Sequence, residues 1–213
     1  MPDHPRGIHM YEPNPANGNR YLYHWLSPER LATAVARGAL KPHWKHWIHD
    51  LGRFERGIST SLDPMAWAPL EDEADAEPCI VIDRTAFEHR VIEIDSGETY
   101  HLTRKVAAAL KAGLDVEPIL RSADASRRTT FGIMDEMFVM DAVPAHAIVA
   151  IGYEPERLYW QDLELIRAAA GIMDIPLIRM DGWQECRPDD SDLDRIIQDA
   201  IADHSGPRSD TRP

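Results

Sequence analysis

The stretch from Gly132 to Tyr153 constrains the fold most strongly, because it contains two apolar runs of strand length separated by a turn. The first run ends in Met-Phe-Val-Met at residues 137–140, and the second covers residues 148–151. Pro144 marks the connection between them. Short apolar runs bounded by turn residues are typical of buried strands. We therefore predict a central pair of buried strands joined by a tight connection.

Glu136 lies in the first of these runs, where the neighbouring positions are apolar. Burying a carboxylate costs several kcal/mol, on the order given for buried ions, unless the group is partnered or lines a cleft. This makes Glu136 the leading candidate for a functional residue. The alternative is that Glu136 begins the strand or lies at a sheet edge and faces water, because carboxylates are rarely buried.

The chain organisation follows from its length and its polar ends. The 213 residues are sufficient for one well-buried domain. Residues 1–19 are rich in Pro, Asn, Gly and His and show no periodicity, so we expect a flexible N-terminal arm. We expect a single domain over residues 20–204 and a disordered tail over residues 205–213.

Charge and cysteine content exclude several classes of protein. The net charge of −13 argues against non-specific binding of nucleic acid over the whole surface, although a local basic site remains open. Cys79 and Cys186 are too far apart in sequence for a zinc ribbon or a disulfide framework. We find neither a membrane-spanning run nor a signal peptide, so we expect a soluble protein with no membrane partner that is cytoplasmic or is delivered by a route without a Sec signal. The oligomeric state is left open.

A strand followed by a capped helix begins the ordered chain. Residues 20–26 are rich in aromatic and large apolar side chains, which suit a strand, and His24 shares a face with Leu22 and Leu26. Ser27-Pro28 is a typical helix start, and Gly38 is a typical C-terminal cap. We predict a helix between them.

The segment from residue 41 to 56 is basic and aromatic on an otherwise acidic protein. Its histidines, His43, His46 and His49, drift around a helix and lack a carboxylate at a metal-binding spacing, so we do not predict a metal site. We interpret the segment as a mobile loop that attracts or stacks on an anionic aromatic ligand.

The remaining elements complete an α+β pattern with about six to eight short strands. We predict strands at residues 57–62, 78–83, 90–95 and 175–179, and helices at residues 103–111, 155–170 and 189–204. The connection at residues 114–130 is predicted to be exposed, and it carries Arg127 and Arg128 towards the strand of Glu136.

Three motifs in this order resemble the ADP-ribosyltransferase fold. They are Tyr-His-Trp-Leu-Ser at 23–27 with its helix ending Gly-Ala-Leu at 38–40, Gly-Ile-Ser-Thr-Ser at 57–61, and Asp-Glu-Met-Phe-Val at 135–139 running into Val143-Pro144 and the strand at 147–151. They cover roughly residues 20–152. Within this fold, the arrangement resembles small bacterial and phage enzymes akin to DNA-modifying ADP-ribosyltransferase toxins and to RNA 2′-phosphotransferases.

The resemblance implies a split mixed or antiparallel sheet with a cleft that takes NAD as a substrate. It implies that His24 hydrogen-bonds a ribose hydroxyl, that Ser59, Thr60 and Ser61 support the cleft, and that Glu136 stabilises the charge that develops as nicotinamide leaves. The transition state would be oxocarbenium-like, where a preorganised carboxylate is effective. Trp67 is the candidate that stacks on nicotinamide, with Trp44, Trp47 and Phe54 as alternatives.

The chain departs from the family pattern at two positions. Met134 replaces the acid or amide that some relatives carry two residues before the catalytic Glu, and the first-strand Arg has only Arg20 as a substitute.

The acceptor, a protein or a nucleic acid, is not determined, and other functions stay open. One alternative is a non-catalytic nucleotide- or nucleic-acid-binding module on the same fold. Another is an RNA 2′-phosphotransferase-like enzyme that grips phosphate with Arg53, Arg56, Arg127 and Arg128, and a metal hydrolase is a more distant alternative.

Overall fold

A computed structural model describes residues 9–11, 20–62, 77–129, 136–180 and 190–205. Over these residues the protein is α+β, as predicted, with five α-helices and eleven strands. The strands outnumber the six to eight expected because β1, β3 and β9, each of two or three residues, were not predicted, and because β4 lies in a segment predicted to be a loop. Such short strands leave no readable alternation in a sequence.

The element bounds are as follows. The strands are β1 His9–Tyr11, β2 Tyr21–Trp25, β3 Ala39–Leu40, β4 Trp44–Ile48, β5 Arg53–Thr60, β6 Cys79–Asp83, β7 His89–Ile94, β8 Glu136–Val139, β9 Val143–Pro144, β10 Ile148–Tyr153 and β11 Leu177–Arg179. The helices are α1 Pro28–Arg37, α2 Ser96–Lys111, α3 Glu117–Thr129, α4 Trp160–Met173 and α5 Asp190–Ser205. Short 3₁₀ turns cover His49–Leu51, Ala145–Ala147 and Pro155–Arg157.

The strands form two main sheets that meet along one bridge. One sheet has the order β1-β7-β8-β5-β4, the other has the order β11-β10-β6-β2, and β3 pairs with β9 apart from both. All pairs are antiparallel except β10 with β11. The sheets join where Tyr23 of β2 and Ser61, just after β5, exchange two backbone hydrogen bonds of 2.9 Å. The β-structure is therefore divided between β2 and the end of β5.

The predicted pairing of the two strands around Pro144 is wrong. β8 lies between β5 and β7 in one sheet, whereas β10 lies between β6 and β11 in the other. Both strands are apolar on both faces because each is interior to its own sheet. The apolar pattern therefore predicts two buried strands correctly, but it contains no information about which neighbours they pair with.

Helix α1 follows the sequence prediction closely. The Ser27 side chain accepts a hydrogen bond from the Arg30 backbone N–H, and Pro28 occupies the first turn. Gly38 ends the helix with φ of 71°, a left-handed conformation that glycine adopts without steric cost. The helix buries Leu31 and Ala34 against the core and packs on α4.

The predicted mobile loop at residues 41–56 is instead a β-hairpin. β4 and β5 pair in register from Trp44 opposite Gly57 to Ile48 opposite Arg53, and the turn ends at Gly52 with φ of 59°. The loop interpretation failed because Trp47 and Ile48 are buried, each in a separate apolar cluster. Burial of these apolar side chains stabilises the ordered hairpin.

Other boundaries also differ from the sequence predictions, among them the helix predicted at residues 155–170, which is α4 and begins at Trp160. The connection expected at residues 114–130 is largely α3, and α2 begins at Ser96, where Asp95 caps it through the Glu98 backbone N–H, rather than at Thr103. In the expected flexible arm, His9–Tyr11 pair with the outer edge of β7. Edge pairing supplies backbone hydrogen bonds that do not depend on side-chain periodicity. Residues 206–213 of the predicted tail lie outside the described residues.

None of the described helices combines the length and the apolar character that a bilayer-spanning helix requires. The largest apolar cluster includes side chains from α1, α4 and both main sheets, among them Leu22, Ile82 and Ile151, together with Met137 and Val139 of β8. Phe138 points to the opposite side of β8, into a separate cluster with residues of β4 and β7. The two sides of β8 therefore belong to different cores.

We expect Gly57→Ala to destabilise the protein by about 1–3 kcal/mol, the range for overpacking. A Cβ at Gly57 would lie 2.5 Å from the Phe138 ring, which is itself fully buried. The matched control is Gly171→Ala in α4, where a Cβ meets nothing within 4 Å. That change should be neutral or stabilise by up to about 1 kcal/mol, since alanine favours helix. Urea unfolding measures both, and equal stabilities for the two variants would contradict the close packing of Gly57 on Phe138.

Candidate functional site

His24 is held in one tautomer by a carbonyl oxygen. Its ring lies on β2 and is only 3% exposed, with Nδ1 2.6 Å from the backbone oxygen of Ser59. A carbonyl can only accept, so Nδ1 carries the proton and donates. The other ring nitrogen, Nε2, is consequently a hydrogen-bond acceptor. It is shielded from solvent and has no hydrogen-bond partner within the part of the chain that the structure describes.

The charge state of His24 is fixed by its surroundings. The pKa of His24 is lowered to about 3, chiefly by burial and also by the nearby charge of His43, while the hydrogen bond to Ser59 opposes the shift. His24 is therefore neutral at ordinary pH. A neutral, preorganised acceptor on a buried ring suits a hydroxyl or N–H donor of a ligand.

Glu136 is buried at the beginning of β8. It is the first residue of the strand, as the alternative interpretation had it, but it is 3% exposed and does not face water. Its backbone lies opposite Ile94 of β7, and Met137 beside it lies opposite Thr60 of β5. Alternation along the strand places Glu136 on the same side of β8 as Phe138.

Strand β5 and the residue after it connect the His24 strand to the Glu136 strand. The backbone oxygen of Ser59 accepts from His24, the Thr60 hydroxyl donates to the Met137 carbonyl oxygen at 2.5 Å, and the Ser61 backbone pairs with Tyr23. With strands about 4.8 Å apart, the backbones of His24 and Glu136 lie on the order of 10 Å from each other. The predicted Ser59–Ser61 segment thus supports the site through its backbone and the Thr60 hydroxyl.

A row of aromatic rings runs along the β4–β5 hairpin from His24 to β8. The His43 ring centre is 5.4 Å from that of His24 and 5.8 Å from that of Trp44. Trp44 is parallel to His46, and the His46 ring centre is 5.2 Å from that of Phe138. Burial lowers the pKa of both His43 and His46. The hairpin that the sequence presented as a loop is therefore one wall of the site.

A basic pocket of about 310 Å³ opens beside His43. Its charged lining residues are all cationic: Arg30, Arg37, Lys41 and Arg56. Sequence reasoning missed the contribution of α1, because Arg30 and Arg37 look like ordinary solvated helix residues. Their separation of seven residues, two helical turns, was the available indication that they share a face.

The side chains predicted as candidates for stacking on nicotinamide differ in their exposure. Trp67 lies outside the described residues. Trp47 is buried edge-to-face against Phe54, in a cluster with Leu102 and Val106 of α2. Trp44, in contrast, is 45% exposed, so of the three alternatives it is the indole with surface available to a ligand.

The arginines predicted to bind phosphate do not share one site. Arg53 forms an ion pair with Glu55, while Arg56 lines the basic pocket. Arg127 and Arg128 belong to α3, and their side chains lie outside the described ones. Arg20, the proposed first-strand substitute, donates to the Asp83 carboxylate at 2.6 and 3.0 Å and so has a structural partner. Within the described ranges, no group of three or more His, Cys, Asp or Glu side chains has metal-binding geometry.

No family model matches the sequence, and no curated protein matches it. His24, Glu136 and the basic pocket are therefore the features of the structure that indicate a function.

We expect His24 to make stability fall in mild acid. The folded pKa of His24 is about 3 and its ordinary value is 6.5, so the unfolded chain binds a proton that the folded chain does not. This contribution is fully present above about pH 6.5 and is lost as the pH falls towards about 3. Between about pH 6.5 and about pH 5 the loss is on the order of 1–2 kcal/mol. Urea unfolding at several pH values should show a shallower dependence for His24→Asn than for wild type, and identical dependences would contradict it.

Proposed function

We propose that the protein is an NAD-dependent ADP-ribosyltransferase, which cleaves the bond between nicotinamide and ribose and transfers ADP-ribose to a protein or nucleic-acid acceptor. One observation carries the proposal: His24 and Glu136, far apart in sequence, are both buried on strands attached to the same three residues, Ser59 to Ser61. The division between the two sheets at this point also supports it, because the resemblance implies a cleft in a split sheet.

His24 orients the substrate. Its Nδ1–H is committed to the Ser59 carbonyl, so the Nε2 lone pair accepts a hydrogen bond from a ribose hydroxyl of NAD. The ring remains neutral because burial lowers its pKa, and it therefore does not repel the positively charged nicotinamide ring. A fixed acceptor of this kind contributes by positioning the sugar for reaction.

Glu136 stabilises the reacting sugar. The bond from the ribose anomeric carbon to the nicotinamide nitrogen breaks, and its electron pair neutralises the pyridinium as nicotinamide leaves. Positive charge develops on the ribose, where the carboxylate of Glu136 opposes it and accepts from the 2′-hydroxyl. The acceptor nucleophile then forms a bond to the anomeric carbon and releases its proton. Burial of Glu136 strengthens this electrostatic effect because water does not screen it.

The test is nicotinamide release from NAD, measured with and without cell extract as a source of acceptors. Glu136→Gln keeps the shape and removes the charge, so we expect release to fall about 100-fold or more. The matched control is Glu93→Gln, an exposed residue on the adjacent strand β7, which should retain wild-type activity. Thermal unfolding of each variant establishes that the fold is retained.

The contradicting result is release that is equal in Glu136→Gln and Glu93→Gln. His24→Asn provides a second test, because Asn retains an N–H for the Ser59 carbonyl but lacks the Nε2 acceptor. We expect this variant to raise KM for NAD or lower kcat while it remains folded.

A non-catalytic nucleotide-binding module is the second candidate. The basic pocket beside His43 favours it, because the pocket offers cations for a phosphate independently of Glu136. Nucleotide binding by the wild-type protein with no nicotinamide release, in buffer or extract, would identify this function instead.

A further inference from the structure

The basic pocket concentrates positive charge on a protein with a net charge of −13. Arg30, Arg37, Lys41 and Arg56 line it together with His43, and no acidic side chain is among its lining residues. No ion pair links any of these four cations to an acid within the described ranges. Like charges held around one cavity repel each other, and a bound anion removes that repulsion.

The fold brings these cations together from separate elements. Arg30, Thr33 and Arg37 follow one face of α1, Lys41 comes directly after β3, and Arg56 comes from β5. The left-handed turn at Gly38 links α1 to β3, and the Gly38 carbonyl accepts from the Ala145 backbone N–H at 2.8 Å, which fixes the turn. The cations are therefore positioned by regular structure, so the pocket is largely formed before a ligand binds.

An exposed aromatic side chain, Trp44, lies next to one of the residues that line the pocket. The Trp44 ring centre lies 5.8 Å from that of His43, which lines the pocket. His46 is parallel to the indole within 3°, and Trp44 is nevertheless 45% exposed. A base can stack on an exposed indole whatever its identity, because every base has a π-face. An exposed indole for a base is thus adjacent to His43, which lines the cationic pocket.

A third feature is an additional buried acceptor between the two. His43 Nδ1 lies 3.2 Å from the Lys41 carbonyl oxygen, so Nδ1 donates and Nε2 accepts. This Nε2 is shielded from solvent and has no hydrogen-bond partner among the residues described. A sugar hydroxyl is a donor that this atom can accept from.

We propose that the basic pocket binds the phosphate groups of a nucleotide whose base stacks on Trp44. Arg37 and Lys41 contribute charge-assisted hydrogen bonds to phosphate oxygens, and Arg30 and Arg56 add to the positive potential. The site requires neither Glu136 nor bond cleavage, so it does not rest on the transferase function. It specifies a ligand with an aromatic base and at least one phosphate.

The experiment is calorimetric titration of the full chain with ADP, adenosine and inorganic phosphate. Arg37→Gln with Lys41→Gln removes two pocket charges at exposed positions, and the charge-matched control is Lys105→Gln with Lys111→Gln, exposed on α2. We expect ADP affinity to fall about tenfold or more in the pocket variant and to remain unchanged in the control. Adenosine should bind more weakly than ADP, and Trp44→Ala should weaken ADP several-fold.

Two results would overturn the proposal. The first is ADP affinity that is the same in the pocket variant and in the control variant. The second is inorganic phosphate binding as tightly as ADP with no effect of Trp44→Ala, which would indicate a general anion site. Thermal unfolding of each variant separates lost binding from lost structure.

Competition between ADP and NAD shows whether the pocket binds the donor NAD or a nucleotide acceptor. ADP displaced by NAD in the Glu136→Gln background, where cleavage is suppressed, would place the phosphates of the donor in the pocket. ADP retained at saturating NAD would indicate a nucleotide acceptor. Failure of the two proposals is also distinguishable: lost ADP binding with intact NAD cleavage contradicts only the pocket, whereas ADP binding without NAD cleavage contradicts only the transferase function.

Discussion

The backbone pairing between Tyr23 and Ser61 is the interaction on which the site depends. It joins a sheet that contains β2 to a sheet that contains β5 and β8, at the one bridge between these sheets in the described chain. Together with the hydrogen bond from His24 to the Ser59 carbonyl, it attaches the strand of the buried His24 to the segment that also contacts the strand of the buried Glu136. Backbone hydrogen bonds are suited to this task because they position residues without using the side chains needed for chemistry.

Burial is the property that the two candidate residues share. His24 is neutral because burial disfavours its charged form, and Glu136 is buried to the same extent, each being 3% exposed. The basic pocket is different, since its cations are exposed and sit on α1, β5 and the residue after β3. A ligand that spans both regions would place its sugar near the buried pair and its phosphates in the more open, cationic part.

Local structure could be predicted where it depends only on the residues of one short segment. Helix α1 begins at Ser27-Pro28 and ends at Gly38 because capping and the left-handed turn are properties of those residues alone. The hairpin at residues 44–60 was not predictable in the same way. Its histidines and tryptophans suit a ligand-binding loop equally well, and only packing of Trp47 on α2 and Ile48 on β7 and β8 orders them. The prediction of strand pairing failed for the same reason. An apolar run indicates that a strand is buried, but it does not indicate which strand lies beside it.

Residue types along the chain were sufficient to predict the α+β class, the capped first helix, and His24, the Ser59–Ser61 segment and Glu136 as candidate residues. These predictions follow from residue type, local propensity and the cost of placing an acid in an apolar strand. Three features could be seen only in the folded chain: His24 and Glu136 attach to one strand segment, Trp44 rather than Trp47 is exposed, and arginines of α1 meet Lys41 and Arg56. These are long-range contacts, and their energies depend on neighbours that the linear order of residues does not specify.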